Sequence, residues 1–121
     1  MNLSAYVGMP YQDRGCWELL RRVYAEQLSI ELPSYADEYL NAADQHDLAR
    51  LIREKRTQWL RVDAEQPGDG VLLNILGEPT HIGIVAEPGS MLHVVRNCTS
   101  VIESYRSPKW ARRIEGFYRW N

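Results

Sequence analysis

Few residues in this chain can do covalent chemistry near neutral pH. There are two cysteines, Cys16 and Cys98, and three histidines, His46, His81 and His93. Cys16 directly follows Gly15, where a helical pattern begins. Ser, Thr, Asp or Asn would cap a helix better at that point. A thiol placed there meets partial positive charge and unpaired N–H groups, both of which favour the thiolate. A nucleophilic thiol also needs a base, usually histidine, and the base needs a group to orient it. His81 opens the stretch HIGIVAE and His93 lies in MLHVV, with Pro88-Gly89 between them. A tight turn there makes the two stretches neighbouring strands. Because side chains alternate along a strand, cross-strand pairing can then bring His93 beside His81. Cys16, His81 and His93 thus have the residue types of a nucleophile, a base and an orienter. On this reading Cys16 is expected to react as a thiolate below neutral pH.

Plainer roles fit the same residues. A free cysteine is among the most buried residue types, so Cys16 is equally consistent with a packed apolar thiol. Two histidines on adjacent strands are consistent with satisfied structural residues or with metal ligands. Zinc usually takes three or four protein ligands, and no further Cys, His or Asp cluster with ligand spacing accompanies them. No metal and no cofactor is therefore expected. His46, in DQHDLAR, reads as a solvated helix residue, and Cys98, in RNCTS, as a structural one.

The elements that must position these residues fall into a helical front and a strand-rich back. From Cys16 to Leu28, the residues Leu20, Val23, Tyr24 and Leu28 recur at helical spacing and form one apolar face. Glu18, Arg21 and Arg22 mark a wet face with ion pairs three and four residues apart. Pro33 ends the helical region. A second helix is expected from about Asn41 to Trp59, with Leu48, Leu51 and Ile52 inward. EQPGDG, Glu65 to Gly70, is the strongest punctuation in the chain. Strands are expected at Val71–Leu76, His81–Glu87, Met91–Val95, Ser100–Glu103 and Arg113–Tyr118. Gly77–Thr80 and Pro88–Ser90 separate the first three. Gaps so short suit antiparallel hairpins and not parallel crossovers. Helices followed by an antiparallel sheet make an α+β layout.

Composition limits what such a fold does. The chain has 121 residues, 45% of them hydrophobic and 25% charged, which suits one soluble domain spanning residues 1–121. The formal net charge of -2 gives no general attraction to nucleic acid or to anionic lipid, so neither is expected as a partner. No apolar run approaches the roughly 20 residues that span a bilayer. The N-terminal MNLSAYVGMPY lacks the basic and apolar regions of a secretory signal, so the chain is expected to be cytoplasmic when made.

Five short motifs, in order, resemble one family. They are Gly8-Met9-Pro10-Tyr11, then Cys16-Trp17-Glu18-Leu19, Pro67-Gly68-Asp69, His81-Ile82-Gly83-Ile84, and His93 in MLHVV. The chain resembles the NlpC-type cysteine peptidases, which cut the stem peptides of peptidoglycan. CWELLRRVYAEQLSIELPSY and the late RIEGFYRW are most similar to the branch found in phage and prophage tail-assembly proteins. The resemblance runs from Tyr6 to Trp120. It implies a papain-like NlpC core, with N-terminal helices packed on an antiparallel sheet. It implies that Cys16 is the nucleophile, His81 the general base and His93 the orienting residue, with Tyr11 beside the nucleophile in the substrate site. The implied reaction is amide hydrolysis through a thioester, typically at the bond from D-glutamate to diaminopimelate. The implied partners are a peptidoglycan stem peptide and phage tail proteins, with the chain carried in the virion. Two other functions stay open: a tail-tip structural or assembly component with weak or no hydrolase activity, and an acyltransferase using the same Cys–His pair. The sequence departs from the family where Gly15 stands for the usual Asp and Glu18 for the usual Gly, and where the QDRG loop is short.

Overall fold

The computed structural model describes residues 1–11, 15–33 and 58–121. Helix α1 is Gly15–Gln27. Six strands follow: β1 Trp59–Val62, β2 Gly70–Ile75, β3 Glu78–Glu87, β4 Ser90–His93, β5 Val101–Ser104 and β6 Ile114–Trp120. They form one antiparallel sheet in the order β1-β6-β2-β3-β4-β5. The fold is therefore α+β, as expected from helical patterns followed by strand patterns.

Helix α1 forms where the apolar face was legible. Cys16, Trp17, Leu19, Leu20, Val23 and Tyr24 are buried, while Arg22, Ala25, Glu26 and Gln27 are exposed. Full burial of such side chains contributes roughly 1.5–3 kcal/mol each. The helix ends before Pro33 acts. Ser29 takes a left-handed φ of 55°, and the Ile30 N–H donates back to the Tyr24 carbonyl at 3.0 Å. Serine takes the left-handed position where glycine is usual at a helix end. The chain beyond is tied to the helix, since Trp17 Nε1 donates to the Pro33 carbonyl and Arg21 Nε to the Leu32 carbonyl, both at 3.1 Å.

The sheet is covered on both faces. Leu72, Ile82, Ile84, Ala86, Leu92 and Val94 pack with α1. Their neighbours Val71, Leu73, Val85 and Met91 point the other way and pack with Tyr105 and Trp110. The β2–β3 hairpin is tighter than expected. Leu76 and Gly77, at φ 53° and 81°, make a two-residue turn of the type that matches strand twist. Glu78, Pro79 and Thr80 consequently belong to β3, and Pro79 pairs with Asn74 at an irregularity in register. The helix expected from Asn41 lies outside the described residues, as do Leu48, Leu51, Ile52 and His46. Its expected last residue is corrected: Trp59 opens β1, opposite Trp120 of β6.

The Pro67-Gly68-Asp69 turn fastens the helix to the sheet. Gly68 has φ 94°, which only glycine adopts cheaply, and its N–H donates to the Val85 carbonyl at 2.8 Å. Tyr24 of α1 donates its hydroxyl to the Gly68 carbonyl. Asp69 is buried, accepts the Gln66 N–H at 2.8 Å, and takes a two-pronged contact from Arg119 at 2.8 Å per prong. Such fork-to-carboxylate pairs fix orientation as well as charge.

Candidate active site

His81 on β3 and His93 on β4 meet on the sheet face away from the bulk of α1. Both are buried. His81 Nε2 lies 2.7 Å from His93 Nδ1. The expected juxtaposition of the two imidazoles is therefore present, and it follows from strand alternation plus the β3–β4 register, which sets Ile84 opposite Leu92.

The chain of contacts continues through a residue not singled out above. His93 Nε2 lies 2.6 Å from Glu103 Oε2 on β5. Register explains the meeting. Glu103 sits opposite Met91, so it shares the face of His93 two residues along. Trp110 closes over the pair. Its ring stacks on His81 at 5.8 Å and 26°, and meets His93 nearly edge-on at 5.0 Å. Lys109 and Arg113 lie over the Trp110 ring at 5.2 and 5.4 Å. Neither Glu103 nor Trp110 carries a motif. An acidic residue one strand beyond a histidine, in register with its face, is the one signal that could have found Glu103.

Cys16 stands in the first turn of α1, as expected, and is only 5% exposed. Its side chain belongs to the helix-side cluster, and its thiol lies against the backbone N–H of Ile82, the residue after His81. Cys16 thus approaches β3 at the root of the base. Tyr11 is placed beside the same turn. A Cβ built on Gly15 would fall 2.6 to 2.9 Å from three atoms of the Tyr11 ring. The ring therefore fills the space that the family's usual Asp side chain would need. The Tyr11 N–H is held by the Cys98 carbonyl at 3.1 Å, and Pro10 bridges Thr99. Cys98 itself is exposed, and both cysteines are free thiols. A groove of about 100 Å³ runs beside this turn, lined by Met9, Pro10, Gly15, Glu18, Leu19, Arg22 and Val94. Glu18 is paired with Arg21, whose Nη1 lies 3.0 and 3.2 Å from its two oxygens, so its charge beside the thiol is offset.

Electrostatics revise the expected ion pair. Burial pushes the Cys16 thiol above its ordinary value, against the backbone N–H groups of Ile82, Trp17 and Cys16 that favour the thiolate. Burial, with the neighbouring His93, lowers His81 to about 3. His93 is also lowered by burial, although Glu103 pulls it upward. The Cys16 and His81 shifts both favour a neutral thiol and a neutral imidazole over a thiolate and an imidazolium. Desolvation, which sequence does not display, outweighs the helix terminus. For Glu103, burial works to raise the carboxyl, but His93, the Trp110 indole and Lys109 outweigh it and hold the group ionised below its ordinary value. Among the described residues, no group of three or more His, Cys, Asp or Glu is arranged to hold a metal. Among them, too, no helix is long and apolar enough to cross a membrane.

Comparisons with known proteins bear on the family and the fold. No curated protein matches the chain. A solved structure similar to it is a lipoprotein-like NLP/P60 family protein of Staphylococcus aureus, with TM-score 0.61 and 20% identity over 95% of this chain. The chain spans 37% of that protein's length, and the likeness at this identity concerns the fold. The NlpC/P60 family profile matches residues 5–119. Members of that family are generally cysteine peptidases acting on the cell wall. On a match covering nearly the whole sequence, this chain belongs to the NlpC/P60 family.

Proposed function

We propose that the chain is a cysteine peptidase that hydrolyses an amide bond in peptidoglycan stem peptides, typically the one joining D-glutamate to diaminopimelate. The observation that carries the reading is the hydrogen-bonded His81–His93 pair, with the Cys16 thiol lodged against the backbone of the residue following His81. In this mechanism the Cys16 sulfur attacks the amide carbonyl carbon as its proton passes to His81. A helix-start N–H, that of Cys16 included, stabilises the oxyanion. The C–N bond then breaks, and His81 returns the proton to the leaving amine. The acyl group stays on sulfur as a thioester. Water attacks that carbonyl, His81 takes its proton, the C–S bond breaks and Cys16 is reprotonated. The neutral resting pair suits this order, since the proton moves as the bond forms. Tyr11, packed on Gly15, borders the substrate carbonyl.

We further infer from the CWELLRRVYAEQLSIELPSY and RIEGFYRW stretches a phage or prophage tail origin, with tail proteins as partners and the virion as the place of action. A second reading, a tail-tip structural component with little activity, is favoured by the depth at which Cys16 is buried and by Gly15 in place of Asp. The deciding experiment incubates the protein with purified muropeptides and reads products by mass spectrometry, beside Cys16→Ala. Cleavage after D-glutamate, absent from Cys16→Ala, is expected. No product in either selects the structural reading, and equal product in both refutes Cys16 as the nucleophile. A product carrying an added amine nucleophile in place of water selects an acyltransferase.

A further inference from the structure

We propose that Glu103 is a positioning residue that sets the tautomers of both histidines and so leaves Nδ1 of His81 as the lone pair available to a thiol proton. The inference rests on the peptidase reading and adds a fourth member to its machinery. An ionised carboxylate only accepts hydrogen bonds. Glu103 Oε2 is 2.6 Å from His93 Nε2, so the hydrogen between them is on Nε2. A neutral imidazole carries one N–H, so His93 Nδ1 then presents a lone pair. That lone pair lies 2.7 Å from His81 Nε2, which must therefore supply the hydrogen. His81 has spent its one N–H on this contact, and its Nδ1 is bare. The two ring-to-ring and ring-to-carboxylate contacts admit one direction of donation, from His81 to His93 to Glu103.

The opposite direction would disable the base. If His93 carried its proton on Nδ1, His81 Nε2 would have to accept it. The His81 hydrogen would then sit on Nδ1, and no lone pair would remain for the thiol. A doubly protonated His93 would impose the same fault, and burial of His93 works against that state. Trp110, against both rings, holds their planes in place. Lys109 acts on both His93 and Glu103 from outside and favours an ionised carboxylate at the end of the chain. When His81 takes the thiol proton, the new positive charge forms one ring away from that carboxylate. This is the arrangement of an orienting acid displaced outward by one imidazole.

The test reads ring nitrogens in the resting protein. In a long-range proton–nitrogen correlation spectrum of the ¹⁵N-labelled chain near pH 7, His81 and His93 should each show a protonated Nε2 and a bare Nδ1. In Glu103→Met the acceptor is gone, and the nitrogen shifts of both rings should move toward those of the Nδ1-protonated form. Turnover number should fall about tenfold or more with KM little changed. Glu103→Gln keeps an oxygen acceptor and should restore both readouts most of the way. A wild-type spectrum with Nδ1-protonated His93 would overturn the assignment without any variant. So would ring shifts unchanged in Glu103→Met, or a Gln variant as impaired as Met. The spectrum needs no substrate. An inert wild-type protein with the expected tautomers would sink the peptidase reading and leave the tautomer assignment standing.

Discussion

Burial of a neutral imidazole should make this fold fragile in acid, and the size of the effect follows from one residue. His81 is 5% exposed, and burial lowers it from 6.5 to about 3. In the unfolded chain the same imidazole takes a proton below about pH 6.5. Between those two values the unfolded state holds more protons, so stability falls as pH falls. The stabilisation is fully present above pH 6.5, and its loss is complete only near pH 3. Each pH unit within the window costs about 1.36 kcal/mol, so moving from pH 7 to pH 5 removes about 2 kcal/mol. That is a large fraction of a typical stability of roughly 5–15 kcal/mol. The measurement is urea unfolding followed by tryptophan fluorescence at several pH values, for wild type and His81→Gln. His93 and Glu103 titrate in both proteins and cancel to first order. The stability difference between wild type and variant should therefore shift by about 2 kcal/mol against wild type between pH 7 and 5. Parallel curves would refute the neutral buried imidazole. A shift in favour of wild type would mean that His81 is charged and paired in the fold.

Three further outcomes are expected. Arg119→Ala should destabilise the fold, because it removes the charged partner of the buried Asp69 carboxylate; thermal melts of the single variant and of Asp69→Asn/Arg119→Ala check this, with the double variant less damaged. Gly15→Ala should displace the Tyr11 ring and lower muropeptide turnover, whereas in a Tyr11→Ala background the same change should stabilise the helix by about 0.5–1 kcal/mol; equal effects in both backgrounds would refute the contact. Iodoacetamide should label exposed Cys98 before buried Cys16 across pH 5 to 9, as read by peptide mass spectrometry, a window spanning ordinary and perturbed thiols; faster labelling of Cys16 at the acid end would restore the thiolate expected from its helix position.

What the sequence disclosed and what it hid divide along physical lines. Periodicity located α1 to within a residue of its ends, and turn chemistry located the hairpins, because both signals are local. The pairing of His81 with His93 was legible for the same reason, since one short turn joins their strands. β1 was misread because four residues are too few to show a strand period. Trp59 also stands seven residues after Ile52, a helical spacing. Glu103 was hidden because its meeting with His93 depends on the β4–β5 register across a seven-residue connection from Val94 to Ser100. Trp110 arrives from farther still, and a lone tryptophan announces only burial. Burial favours protonation states opposite to those expected, because helix-start charge is visible in a sequence, while the depth of a side chain is a property of the finished core.

The place of β6 in the sheet governs the order in which this fold can assemble. β2 to β5 form a run of neighbouring strands joined by short connections, and each pair can zip as soon as its second member exists. β1 has no such neighbour. Its partner is β6, which lies between it and β2, so Trp59–Val62 must wait for Ile114–Trp120. On a ribosome adding about 5–20 residues per second, the histidines and Glu103 can be in register seconds before Trp59 has anything to pair with. Until then one edge of β2 stays open, displaying the unpaired N–H and C=O groups that recruit other chains. Closing that gap requires a contact between distant parts of the chain, the slow kind. The interval before β6 docks is thus the period of greatest exposure to aggregation. Arg119, carried in on that last strand, locks Asp69 at the moment the opening is sealed.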